Sequence, residues 1–157
     1  MREHYLFCKD LSGYLEIKKS KIKEEIYGLS EDYILNVSEE DLVKSLKEKY
    51  ILNPPILKTE EKYQLKPEDT DVKIVGKECK FLYGEADTLK GTLFTIVIPF
   101  ESDEELFYYC PYQFRSVFPQ GEIQGNELYL KYTVANHDAN SLRSKIDKEI
   151  ELIKFYL

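Results

Sequence analysis

The run Gly91-Thr92-Leu93-Phe94-Thr95-Ile96-Val97-Ile98-Pro99-Phe100 constrains this chain more than any other stretch, because no charge falls between Lys90 and Glu101. β-Branched and aromatic residues dominate it and a proline closes it, which is how a central strand covered on both faces reads. Such a strand needs neighbours and a covering layer. Val72, Ile74, Cys79, Phe81 and Tyr83 fall on alternating positions, with Gly76 as a bulge, and predict a strand over about 72–83. The polar connection from Gly84 to Lys90 is short enough for an antiparallel pair. Gly125-Asn126 sits between Glu122-Ile123-Gln124 and Glu127-Leu128-Tyr129-Leu130, and predicts a two-residue type II′ hairpin within 121–134. In its second arm Leu128, Leu130 and Tyr132 share one face, and Tyr129 takes the other.

The covering layer is expected at both ends of the chain. From Ala139 onward, Leu142, Ile146, Ile150, Ile153 and Leu157 recur at three-to-four spacing, with Asp138 or Asn140 to cap the start. Leu15, Ile22 and Ile26 give a helix over 14–27 that Gly28 closes, although Tyr14 to Lys18 also alternates as a strand would. Ser38 with Asp41 marks a second helix start, with Leu42, Val43, Leu46 and Tyr50 on one face and Asn53-Pro54-Pro55 as its stop. Tyr5 to Cys8 reads as an opening strand or a helix start. Ile56-Leu57 and Tyr63-Gln64-Leu65 read as short extended pieces, and Pro67 to Asp71 as a turn. The expected fold class is α+β: N-terminal helices, a central mainly antiparallel sheet from about 72–83, 92–99 and 121–134, and a C-terminal amphipathic helix. At 157 residues the expectation is a single domain, 1–157.

Composition excludes several classes. With 43% apolar and 32% charged residues the chain is globular, not disordered. A net charge of −7 argues against a dedicated nucleic-acid binder. Lys18, Lys19, Lys21 and Lys23 cluster ahead of an acidic stretch, which reads as a solvated helix face. Cys8, Cys79 and Cys110 are odd in number and show no Cys-x-x-Cys, so three free thiols in a reducing cytosol are expected, with no zinc ribbon. There is no apolar run of the roughly 20 residues that a bilayer span needs, and no signal-peptide pattern. Lysine far outnumbers arginine and alanine is scarce, which points to an AT-rich bacterial genome.

No phosphate-binding glycine loop occurs, and His137-Asp138 with His4 makes a poor metal set, so no cofactor and no metal are expected. Glu101, Asp103, Glu104 and Glu105 read as an acidic helix start capped by Ser102. Glu78-Cys79-Lys80, with Asp71 upstream, resembles the Asp…Glu-x-Lys arrangement of restriction-type nucleases over those three residues. That resemblance implies an Asp and a Glu holding a divalent ion beside a water-orienting Lys. Glu-x-Lys recurs at Glu16-Ile17-Lys18, as expected in a chain this charged.

The most unusual stretch is Leu106 to Phe118, where six of thirteen residues are Phe or Tyr and one of the three arginines falls. Phe107, Phe114 and Phe118 are expected in the core. Tyr109, Tyr112 and Arg115 are candidate binding residues, since aromatics and Arg dominate interface hot spots. Phe155 joins them: it lies roughly 200° from Leu157 on a helix, so one core face cannot cover both. The expected function is a non-catalytic interaction or regulatory module of a cytosolic bacterial protein, engaging a protein partner or further domains of a longer chain. The alternative is a metal-dependent hydrolase or nuclease using Asp71, Glu78 and the Glu101–Glu105 cluster.

Overall fold

Strand pairing is organised around one long strand, Thr88–Glu101. The structure, a computed structural model, describes residues 5–73, 88–111, 117–134 and 139–157, apart from the side chains of Lys73, Thr88, Leu89, Ala139 and Asn140. Its elements are β1 (Lys9–Asp10), α1 (Leu11–Tyr27), α2 (Glu31–Asn36), α3 (Glu39–Tyr50), β2 (Ile56–Leu57), β3 (Tyr63–Gln64), β4 (Glu68–Lys73), β5 (Thr88–Glu101), β6 (Tyr109–Cys110), β7 (Glu122–Gln124), β8 (Glu127–Val134) and α4 (Ala139–Tyr156). This is the expected α+β class, with helices at both ends of a mainly antiparallel sheet. Among the described residues no helix is long and apolar enough to cross a membrane.

β8 runs antiparallel along one edge of β5, from Thr92↔Val134 to Pro99↔Glu127. Three pieces, β4, β3 and β2, follow one another along the other edge, also antiparallel. β7 pairs with β8 through the Gly125-Asn126 turn. Gly125 has φ +58°, and Asn126 is not among the described positive-φ residues, which matches the type II′ expectation. β1 and β6 form a separate two-residue parallel ladder.

Alternation along β5 gives the sheet two unlike faces. Ile96, Ile98 and Phe100 join Leu128, Leu130 and Tyr132 beneath Ile150, Ile153 and Tyr156 of α4, with Leu6, Phe7 and Phe107 completing this core. Each such side chain contributes roughly 1.5–3 kcal/mol through burial. Val97 points the other way and is fully buried nonetheless. Tyr63 and Tyr129 flank it in register, and both hydroxyls donate to the Glu127 carboxylate, at 2.8 and 2.9 Å. Phe7 holds φ 55°, a left-handed conformation that costs about 1–3 kcal/mol. Its ring stacks on Tyr156 at 4.8 Å and its N–H donates to the Phe107 carbonyl, so burial offsets the strain.

Several local expectations change. Residues from Glu68 to Asp71 belong to strand β4, not a turn, because pairing with Leu93 through Lys90 overrides their polar, acidic composition. The rest of the expected 72–83 strand, after Lys73, lies outside the described residues. α1 begins at Leu11, where Asp10 accepts the Ser12 and Gly13 amides at 3.1 and 2.8 Å. Gly28 ends it at φ −83°, in right-handed geometry, so no left-handed cap is used. Ser38 caps α3 through the Asp41 amide, and its hydroxyl donates to the Asp41 carboxylate. Ser102 does not cap the next turn. It sits at φ 85°, and Asp103 takes the cap position of a 3₁₀ turn over Glu104–Tyr108. Asp138 lies outside the described residues, and Asn140 falls inside α4.

Candidate binding surfaces

Four places come into question. The first is the N-terminal helical layer. From Leu11 to Tyr50 no residue is buried. The periodic apolar positions Ile22, Leu42, Leu46 and Tyr50 reach only half-burial. Tyr27 and Leu35 are 85% and 83% exposed, and Ile17, Tyr33, Ile34 and Val43 are exposed as well. Polar contacts hold the layer. Lys49 reaches the Glu25 carboxylate at 2.7 and 2.8 Å, and the Tyr50 hydroxyl donates to the same group. The Lys49 hydrogen bond, then that of Tyr50, holds the Glu25 carboxyl below the usual range.

The second is the Tyr109 cluster, which ties that layer to the sheet. Tyr109 is half-buried, and its ring stacks on Tyr14 at 4.3 Å. The Lys9 ammonium lies 5.1 and 5.7 Å from the Tyr108 and Tyr109 rings. Tyr14 donates to Glu105 at 2.7 Å; burial first, and then that bond, push its phenol pKa well up. Behind it, Leu15, Pro54, Leu106, Tyr109 and Leu157 line a small apolar cleft of about 180 Å³.

The third is the outer flank of α4. Phe155 is 44% exposed and shares a shallow groove with Leu152 and Val117. Phe155 and Leu157 diverge as their spacing predicts, since Leu157 lines the Tyr109 cleft. Tyr156 is the residue that sequence reasoning passed over: it is buried, and its hydroxyl donates to the Val117 carbonyl at 2.9 Å. Its place three residues after Ile153 was the available signal. Tyr109 and Phe155 therefore line different concavities. Tyr112 and Arg115 lie outside the described residues.

The fourth is a cleft of about 470 Å³ between the sheet and the first half of α4. Ile150, Ile153 and Tyr156 are buried, but Ile146 and Leu142, nearer the helix start, are only half-buried. The helix is thus seated at its C-terminal half and stands off the sheet at its N-terminal half. Phe94, Ile96 and Val134 form the floor of the gap, and Lys62, Arg143 and Asp147 stand at its rim. Nearby, the Tyr132 hydroxyl is buried with no hydrogen-bond partner among the described residues, and burial, then the Glu149 charge, push its pKa up.

Among the described acids of the hydrolase alternative, Asp71 is not brought to the Glu101–Glu105 cluster. Asp71 pairs with Lys90 at 2.8 Å near one end of β5. Glu101 pairs with Lys58 at 2.6 Å at the other end. At about 3.3 Å per residue, these ends are on the order of 35 Å apart. Asp103 accepts the Asn53 amide at 3.1 Å, and Glu105 is engaged by Tyr14. Glu78 lies outside the described residues. Among the described residues no group of three His, Cys, Asp or Glu side chains is arranged to hold a metal ion. Cys8 and Cys110 are free thiols, and Cys79 lies outside the described residues.

Comparison with protein-family models, with curated proteins and with solved structures gives no match.

Proposed function

We propose that this chain is a non-catalytic interaction module of a cytosolic bacterial protein, and that it engages a protein partner through its N-terminal helices. One observation carries the reading: residues 11–50 form three helices without one buried side chain, yet display Ile17, Tyr27, Tyr33, Ile34, Leu35 and Val43. Large apolar side chains left open mark interaction sites where they adjoin, and Tyr33, Ile34 and Leu35 are consecutive in α2. Covering a side chain such as Tyr27 or Leu35 contributes roughly 1.5–3 kcal/mol, so a few of them suffice for an interface core. Phe155 is a second contact point on the α4 flank, and Tyr109 supports the helical layer from below through Tyr14. The cysteine usage supports the cytosolic assignment and the lysine-rich, arginine-poor composition the bacterial one. The hydrolase alternative has no comparable support, since its described acids stand at opposite ends of β5.

Site-specific photo-crosslinking in the native cell tests this. A photoreactive residue replaces Tyr27, Leu35 or, as control, the exposed Asp69. A discrete protein adduct at 27 and 35 that is missing at 69 is expected. No adduct, or the same adducts at all three positions, would overturn the reading.

A further inference from the structure

We infer that the cleft between α4 and the sheet is a binding site for a small anionic amphiphile, of the class of a medium-chain carboxylate. The argument begins with shape. The helix lies close to the sheet at Ile150, Ile153 and Tyr156 and stands off it at Ile146 and Leu142, leaving about 470 Å³ open. That falls within the range of roughly 300–1,000 Å³ typical of ligand sites. It is far above the ~10–15 Å³ that one water occupies on the same measure.

Chemistry comes next. Phe94, Ile96, Val134, Leu142 and Ile146 offer water no hydrogen-bonding side chain. Water there is readily displaced by an apolar body, which gains about 25 cal/mol for each Å² covered. The rim differs in kind. Lys62 precedes β3 and Arg143 lies on the first turns of α4, so the sheet side and the helix side each bring one exposed cation to the lining of the cleft. Neither takes part in an ion pair among the described residues. Asp147, one turn beyond Arg143, is the counter-charge at the rim and leaves a local balance of +1 on a chain whose net charge is −7. Gln64 adds an amide on the same wall. An apolar floor with a cationic mouth suits a ligand with an apolar tail and one anionic head, whose carboxylate Arg143 can receive with two parallel hydrogen bonds.

Titration of dodecanoate into the isotopically labelled full chain, followed by NMR, tests the site. Saturable one-to-one binding is expected, with the largest shifts at Phe94, Ile96, Leu142 and Ile146. The Lys62→Glu, Arg143→Glu double variant alters two exposed side chains only, and should bind at least about tenfold more weakly. A neutral alcohol of the same chain length should lose a similar factor. Ile146→Trp, which fills the gap, should abolish binding. Absence of saturable binding, shifts centred elsewhere, or equal affinity for acid and alcohol would overturn the inference. So would full affinity in the charge-reversed variant, whose fold is checked by its unshifted core resonances.

Discussion

Position 91, near the start of the central strand, holds glycine for lack of space, and a single methyl there should weaken the fold by a calculable amount. Its φ is not left-handed, so backbone freedom is not the reason for glycine. A Cβ at this position would stand 2.4 Å from Val72 Cγ2 and 2.9 Å from the Val134 carbonyl oxygen. The first neighbour is a side chain two positions along β4 from Thr70, the direct partner of Gly91, and can turn aside. The second is backbone of the neighbouring strand and cannot move without disturbing the ladder. Overpacking of this sort costs about 1–3 kcal/mol. Replacing glycine by alanine returns about 0.4–1 kcal/mol through the unfolded chain. The net expectation for Gly91→Ala is a loss of about 1–2 kcal/mol, read as a lower urea midpoint at unchanged slope. In the Val72→Ala, Gly91→Ala double variant the side-chain clash is gone and the backbone clash remains. Its loss should fall short of the sum of the single losses by about 0.5–1 kcal/mol. Gly91→Ala at or above wild-type stability, or strict additivity with Val72→Ala, would refute the steric account.

Two further outcomes follow from the same geometry. Tyr14 and Tyr132 have phenol pKa values raised chiefly by burial, so their contribution to stability is intact below the ordinary value of about 10 and is lost as pH rises through their folded values. Absorbance titration should therefore show a late tyrosine phase, above the ordinary value of about 10, that ionises together with loss of the circular-dichroism signal; completion of the titration in one phase with that signal intact would contradict this. In a Cys79→Ser background, the exposed Cys8 should react with a disulfide reagent in a fast phase, and the half-buried Cys110, whose thiol pKa burial raises, in a distinct slow phase; equal rates would count against the placement of β6.

How legible the fold was depended on how local its causes were. The Gly125-Asn126 turn and the Ser38 cap are set by two to four adjacent residues, and both stand where the sequence puts them. The central strand and the stripe of α4 are carried by long apolar patterns, which short-range noise does not obscure. The stretch Glu68–Asp71 failed for the opposite reason. Its acids and Pro67 signal a turn, and only its pairing with a strand some twenty residues later makes it extended. α2 is one short acidic helix started by Ser30, and it shows no apolar stripe to find. Ser102 carries a capping side chain but is held at φ 85°, where it cannot act as one. The clefts were beyond reach altogether. The α4 gap depends on how the helix leans on the sheet, and it is lined by residues such as Lys62 and Arg143 that lie far apart in the chain.

The two halves of the molecule are held by different physics, and that difference bears on function. Every residue of the buried core lies outside 11–50. Helices of 17, 6 and 12 residues are marginal on their own in water. Surface ion pairs such as Lys49–Glu25 contribute about 0–1 kcal/mol each, and the Tyr14–Tyr109 stack about 0.5–1.5 kcal/mol beyond its burial. Asn53 and Asp103 exchange a pair of hydrogen bonds, of 3.1 and 3.2 Å, where the layer rejoins the sheet. These contacts orient the helices without supplying the apolar burial that normally holds such elements in place. We propose that a partner covering Ile34, Leu35 and Tyr27 would add that missing burial and so couple binding to the stability of this layer. Under the proposed function Tyr109 would matter to recognition without touching the partner, because its ring stacks on Tyr14 of α1, whose hydroxyl donates to Glu105.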